Sequence, residues 1–186
     1  TSFNLNKASF FAGHSLGEYS ALACSEGLSF VDTIKLLKIR GNAMQSAVPK
    51  NEGGMVAVLG EEINKIKKIL YDNRKNFICY LANDNCNGQV VISGKVKDLN
   101  ELTTELKKLN IKNVKLPVSA PFHCVLMNSA TKIMKTEIAR IKFLTPDNKI
   151  VSNVNAKSSE DPDQIKNLLV EQIENPVRWR ESIINM

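Results

Sequence analysis

Gly13-His14-Ser15-Leu16-Gly17 is the segment of this sequence best suited to chemistry. It fits G-x-S-x-G, a turn whose glycines let a strand bend sharply into a helix and lift a serine hydroxyl out of a sheet. The short apolar run Ala8-Ser9-Phe10-Phe11-Ala12 precedes it, and the helix-forming Tyr19-Ser20-Ala21-Leu22-Ala23-Cys24 follows. A serine here needs a base, and the chain holds only two histidines. His14 adjoins Ser15, and neighbouring residues at such a turn point different ways, so it reads as packed beneath the turn. His123 lies in Pro117-Val118-Ser119-Ala120-Pro121-Phe122-His123, on a loop leaving a strand, where a base can be offered to a cleft.

The elements that position these residues follow from periodicity. A strand over 8–12 leads into the serine turn. A helix over 29–47 opens with Ser29-Phe30-Val31-Asp32, a capping box with Asp in place of Glu, and closes at Pro49 and Gly53-Gly54. The next stretch predicts strands over 55–59, 77–82, 89–93 and 114–118, with helices over 61–73 and 97–109. That βαββαβ order predicts a ferredoxin-like subdomain over 54–118. It interrupts a core formed by 1–53 and 119–186, where a helix over 124–142, a strand over 149–152 and a helix over 162–174 alternate. The fold class is therefore α/β, a parallel-sheet core with one insertion. The outer part supplies two clear strands, so its sheet is expected to be incomplete at both ends.

Composition narrows the function. The 186 residues suit one domain with a subdomain, and no apolar run is long enough to span a membrane. Cysteines 24, 79, 86 and 124 form no C-x-x-C, which argues against structural zinc and predicts reduced, mostly buried thiols. Net charge is +6, with 20 Lys against 5 Arg and with 20 Asn, a bias typical of AT-rich coding. The lysines are dispersed with few aromatics between them, which argues against nucleic-acid binding and leaves an acidic protein partner.

Five ordered segments resemble the malonyl-CoA:acyl-carrier-protein transacylase family. They are Gly13 to Leu22, Arg40-Gly41-Asn42-Ala43-Met44-Gln45, Asn83 to Gly94, Pro117 to His123, and Glu171 to Trp179. The resemblance implies Ser15 as acyl acceptor and His123 as general base. It implies that the Gln172 backbone carbonyl orients the histidine and that the Leu16 N–H forms half of an oxyanion hole. Arg40 would grip the free malonyl carboxylate, with Phe122, Met44 and Asn85 lining the substrate site. Leu16 and Phe122 resemble malonyl-selective members, and a bulky Phe122 would crowd an α-methyl branch.

The substrates implied are malonyl-CoA and the phosphopantetheine thiol of acyl carrier protein, with no bound metal or cofactor and a monomeric chain. The family's N-terminal G-Q-G glutamine and its C-terminal Gly-Pro-rich segment are absent, which implies an internal fragment. A serine hydrolase or thioesterase, or a piece of a multidomain polyketide or fatty acid synthase, are the alternative functions. The implied compartment is intracellular. The Lys/Asn bias favours a plastid-like organelle over a bacterial cytoplasm or a mitochondrion.

Overall fold

A computed structural model describes residues 7–118 and 120–186. Strand β1 (Phe10–Ala12) runs into the serine turn, and α1 (Gly17–Cys24) leaves it. Helix α2 (Phe30–Ser46) begins at Ser29, whose Oγ accepts the Asp32 N–H at 3.0 Å and donates to the Asp32 carboxylate at 2.7 Å. The shortened box keeps the serine half of the motif, while the aspartate grips the hydroxyl itself.

Next come β2 (Gly53–Leu59), α3 (Ile63–Asp72), β3 (Cys79–Cys86), β4 (Gln89–Lys95), α4 (Val96–Lys108) and β5 (Lys112–Lys115). Their strands form a four-stranded sheet in the order β3-β4-β2-β5, with every neighbouring pair antiparallel. The apolar faces of α3 and α4 cover it, burying Ile66, Ile92, Leu102 and Leu106 completely.

The remaining elements are α5 (Asn128–Ala139), β6 (Lys149–Val151), β7 (Ser158–Ser159), α6 (Pro162–Glu171) and α7 (Trp179–Asn185). A second sheet has the order β1-β6-β7, with β1 and β6 parallel and β7 antiparallel to β6. A core around Tyr19, Leu22, Leu36, Met134 and Leu169 packs α1, α2, α5 and α6 together. Phe122 touches this core and also a small cluster of Met55, Ala57, Ala82 and Val91 on the other sheet, so it sits where the two halves meet.

Several boundaries differ from those expected. The strand expected over 77–82 lies at Cys79–Cys86 and continues through polar residues, because distant groups satisfy them. Arg180 binds both oxygens of buried Asp84 at 3.1 Å. Val177 pairs with β3 in parallel, the Asp84 N–H donating to its carbonyl at 2.9 Å and its own N–H donating to Ala82 at 2.8 Å. The strand expected over 114–118 moves to Lys112–Lys115, since Pro117 has no N–H to extend the ladder. The helix expected over 124–142 starts later, with Cys124 extended at φ −150° and ψ 171°, and is divided into a 3-10 turn (Val125–Met127) and α5. The core sheet is mixed, since β7 runs antiparallel. Of the four cysteines only Cys124 is buried, as Cys24 ends α1 towards solvent and Cys86 ends β3 at a hairpin.

Candidate active site

The serine turn is as tight as its glycines suggest. A Cβ on Gly13 would lie 2.0 Å from the carbonyl carbon and oxygen of Gly17, both backbone atoms. Ser15 holds φ 53°, a left-handed conformation that a non-glycine residue adopts at a cost. The turn is closed by Gly17 N–H to His14 O at 2.9 Å and Glu18 N–H to Ser15 O at 3.1 Å. From the end of β6, Asn153 braces it: its side chain accepts the Ser15 N–H at 2.6 Å and donates to Gly13 O at 2.9 Å. Gly13→Ala is therefore expected to displace the turn, an overpacking cost of ~1–3 kcal/mol or more. Urea unfolding and Ser15 reactivity towards a fluorophosphonate should both register it, the second as near-complete loss.

The loop before α5 brings His123 to the serine. Ser15 Oγ lies 2.8 Å from His123 Nε2, and His123 Nδ1 lies 2.8 Å from the main-chain oxygen of Gln172. Gln172 follows the last residue of α6, where a carbonyl has no intrahelical partner. Because a carbonyl only accepts, Nδ1 must carry the proton, which leaves the Nε2 lone pair facing the serine O–H. Burial pushes the His123 pKa down to about 4, although the Gln172 carbonyl opposes the shift. At neutral pH the imidazole is thus uncharged and able to take a proton.

Arg40 reaches the same oxygen from the middle of α2. It is only 6% exposed, so it does not lie on a solvated helix face. Its Nη2 donates to Ser15 Oγ at 2.9 Å and to Gln172 Oε1 at 2.9 Å, and the guanidinium stacks 5.7 Å from the Tyr19 ring centre. Its Nε is buried with no hydrogen-bond partner among the described residues. A cavity of about 270 Å³ opens beside it, lined by Ser15, Arg40, Gly41, Met44, Gln45, Phe122 and His123. Leu16 points its side chain to solvent, and its N–H makes no hydrogen bond among the described residues.

His14 departs from expectation. It is exposed, and its Nε2 lies 3.0 Å from Asn85 Oδ1 with its ring tilted 5.5 Å from that of Trp179. The side chain thus reaches across to Asn85 on β3. Asn85 therefore meets His14 and does not line the 270 Å³ cavity. Residues that motif reading passed over lie beneath the serine. Glu18 is 1% exposed, and its Oε2 accepts the Asn153 N–H at 3.1 Å and the Gln172 side-chain amide at 2.7 Å. That amide also donates to Ser15 O at 3.1 Å. Asn153 had one sequence signal, its place just after a predicted parallel strand, where α/β sites collect.

A serine on a strained strand–helix turn, a neutral histidine of fixed tautomer and a buried guanidinium define a site built for covalent acyl transfer. The acyl transferase domain family matches residues 6–186, and the chain belongs to that family. It is 39% identical over 173 residues to the malonyl CoA-acyl carrier protein transacylase of Salmonella typhimurium, a match covering 92% of this chain and 56% of that protein. Among solved structures, the acyl-carrier-protein-S-malonyltransferase of Bartonella henselae superposes with a TM-score of 0.93 at 41% identity, covering 98% of this chain and 59% of that one. A malonyl-transacylase solved in complex with a type II polyketide acyl-carrier protein superposes with a TM-score of 0.91 at 36% identity, covering 96% and 59%. The chain thus spans a little over half the length of these relatives.

Proposed function

We propose that this chain carries the acyl-transfer centre of a malonyl-CoA:acyl-carrier-protein transacylase, with Ser15 as nucleophile. The hydrogen-bonded line from Ser15 Oγ through His123 to the Gln172 carbonyl carries the reading. In the first half-reaction Ser15 Oγ bonds to the thioester carbon of malonyl-CoA as the carbon–sulfur bond breaks. His123 Nε2 takes the serine proton and passes it to the departing CoA sulfur. In the second, His123 removes the proton of the phosphopantetheine thiol, whose sulfur displaces Ser15 from the malonyl ester, and returns that proton to the departing Ser15 Oγ. The Leu16 N–H, at the positive end of α1, is placed to stabilise the oxyanion of each tetrahedral intermediate.

Arg40 is proposed to receive the malonyl carboxylate in the cavity it lines together with Phe122 and Met44. Gln172, through its carbonyl, fixes the histidine. The two halves of the fold are read as a hydrolase-like core, 1–53 and 119–186, with a ferredoxin-like insertion over 54–118, and the β3-β4-β2-β5 strand order supports this. The net charge of +6 suits an acidic carrier protein. The relatives named above that carry an organism are bacterial and lend a plastid-like compartment no weight.

The test is intact-protein mass spectrometry after exposure to malonyl-CoA. One malonyl group should appear on Ser15 and disappear on adding carrier protein bearing phosphopantetheine. Hydrolysis of the ester outpacing its transfer to carrier protein would point to a thioesterase instead.

A further inference from the structure

Glu18 has no part in the proton transfers above, yet it occupies the centre of the polar groups beneath them. It follows Gly17 on the first turn of α1, where an acidic side chain ordinarily faces solvent and complements the helix dipole. Here it is turned inward. Its Oε2 collects the Asn153 N–H and the Gln172 amide, two groups from separate loops that both hold the serine turn. With its NH2 committed to Glu18, the Gln172 side chain must present Oε1 to Arg40. The same residue presents its main-chain oxygen to His123. The Gln172 side-chain amide can be turned either way round, and a carboxylate, which only accepts, removes that choice, while the Asn153 main chain is held at its N–H.

The geometry points to Glu18 as a positioning residue: as a buried carboxylate it fixes Gln172 and Asn153, and through them the orientation of His123, Arg40 and Ser15. The inference rests on Ser15 and His123 acting as nucleophile and base. Around Glu18 the titratable groups are Arg40 from α2 and its neighbour Tyr19 on α1, with Ser152, Asn153 and Gln172 completing its polar contacts. Burial raises its pKa to about 7, against the pull of the Asn153 and Gln172 hydrogen bonds and of Arg40. The sign follows: ionisation of Glu18 costs the folded state stability as pH rises through that value, while supplying the acceptor that the site uses.

The experiment compares wild type and Glu18→Gln by the rate at which a fluorophosphonate labels Ser15, from about pH 4.5 to 8.5. This probe carries no carboxylate, so it reads the serine–histidine pair without Arg40 recognition. Wild type should show a limb centred near pH 7, rising with pH. Glu18→Gln should lose that limb and label about tenfold more slowly at the alkaline end, while melting no lower than wild type above pH 7. A variant that labels at the wild-type rate with the same limb overturns the inference.

Should Glu18→Gln fail to fold, the His123 Nδ1 proton resonance of wild type decides. A shift with a midpoint near 7 supports the coupling, and a resonance that moves only near pH 4 overturns it. Wild type that takes neither malonyl nor the probe removes the nucleophile assignment itself, and this inference with it.

Discussion

Arg40→Ala is expected to lose malonyl transfer while retaining transfer of acetyl groups. A hydrogen bond between charged partners contributes ~1.5–3 kcal/mol, so losing one should lower the malonyl-to-acetyl preference ~10–100-fold. Burial strengthens the expectation, because the guanidinium meets its ligand away from bulk water. Lysine should restore little of the preference, since a point charge lacks the planar fork that grips both carboxylate oxygens. The measurement is kcat/KM for malonyl-CoA and acetyl-CoA with one carrier protein. Equal loss for both would show that Arg40 acts through its bonds to Ser15 Oγ and Gln172 Oε1, and not on the acyl carboxylate.

The site was legible in the sequence wherever its geometry is local. Glycine at 13 and 17 announces a tight turn at Ser15, and the order of strand, turn and helix holds as expected. Gln172 was found for its main chain, from a helix end that the Asn175-Pro176 break predicts. Its side chain, bonded to Arg40 and Glu18, was not. Glu18 itself looks like any acidic residue at a helix start. What buries it arrives from Asn153 and Gln172, 135 and 154 residues further along the chain, and no local pattern encodes that. Strand β3 was cut short for the same reason. Apolar alternation ends at Ala82, while the polar residues beyond it are held by Val177 and Arg180. The outward direction of His14 likewise depends on Asn85 and Trp179, partners too distant in the chain for a local pattern to encode.

His123→Ala is expected to slow acylation of Ser15 ~10²–10⁴-fold while leaving malonyl-CoA binding little changed. In the proposed reaction the residue removed accepts the serine proton, and among the described residues that proton has no second base within hydrogen-bond distance. The burst of CoA released on mixing with excess malonyl-CoA in the absence of carrier protein isolates this step. Ser15→Ala should abolish the burst altogether. In wild type the histidine itself stays neutral down to about pH 4, so loss of its basicity belongs to that acid range and any weakening nearer neutrality must come from another group. A His123→Ala enzyme with an unchanged burst would remove the histidine from the reaction. External imidazole that restores part of the burst would confirm that a missing base, and not a collapsed loop, is the defect.

The parallel pairing of Val177 with β3 has a thermodynamic consequence. Four residues separate Val177 from Gln172, whose carbonyl holds the histidine, and the backbone bonds at Val177 pair it with β3 of the four-stranded sheet. The segment between α6 and α7 is therefore tied to the four-stranded sheet by main-chain hydrogen bonds, reinforced by Arg180 on Asp84. Opening either one exposes amides of both, so the amide protons of Asp84 and Val177 should exchange with solvent together, at a single opening free energy. A single calorimetric transition is the expected result, with the serine–histidine alignment lost in that same transition.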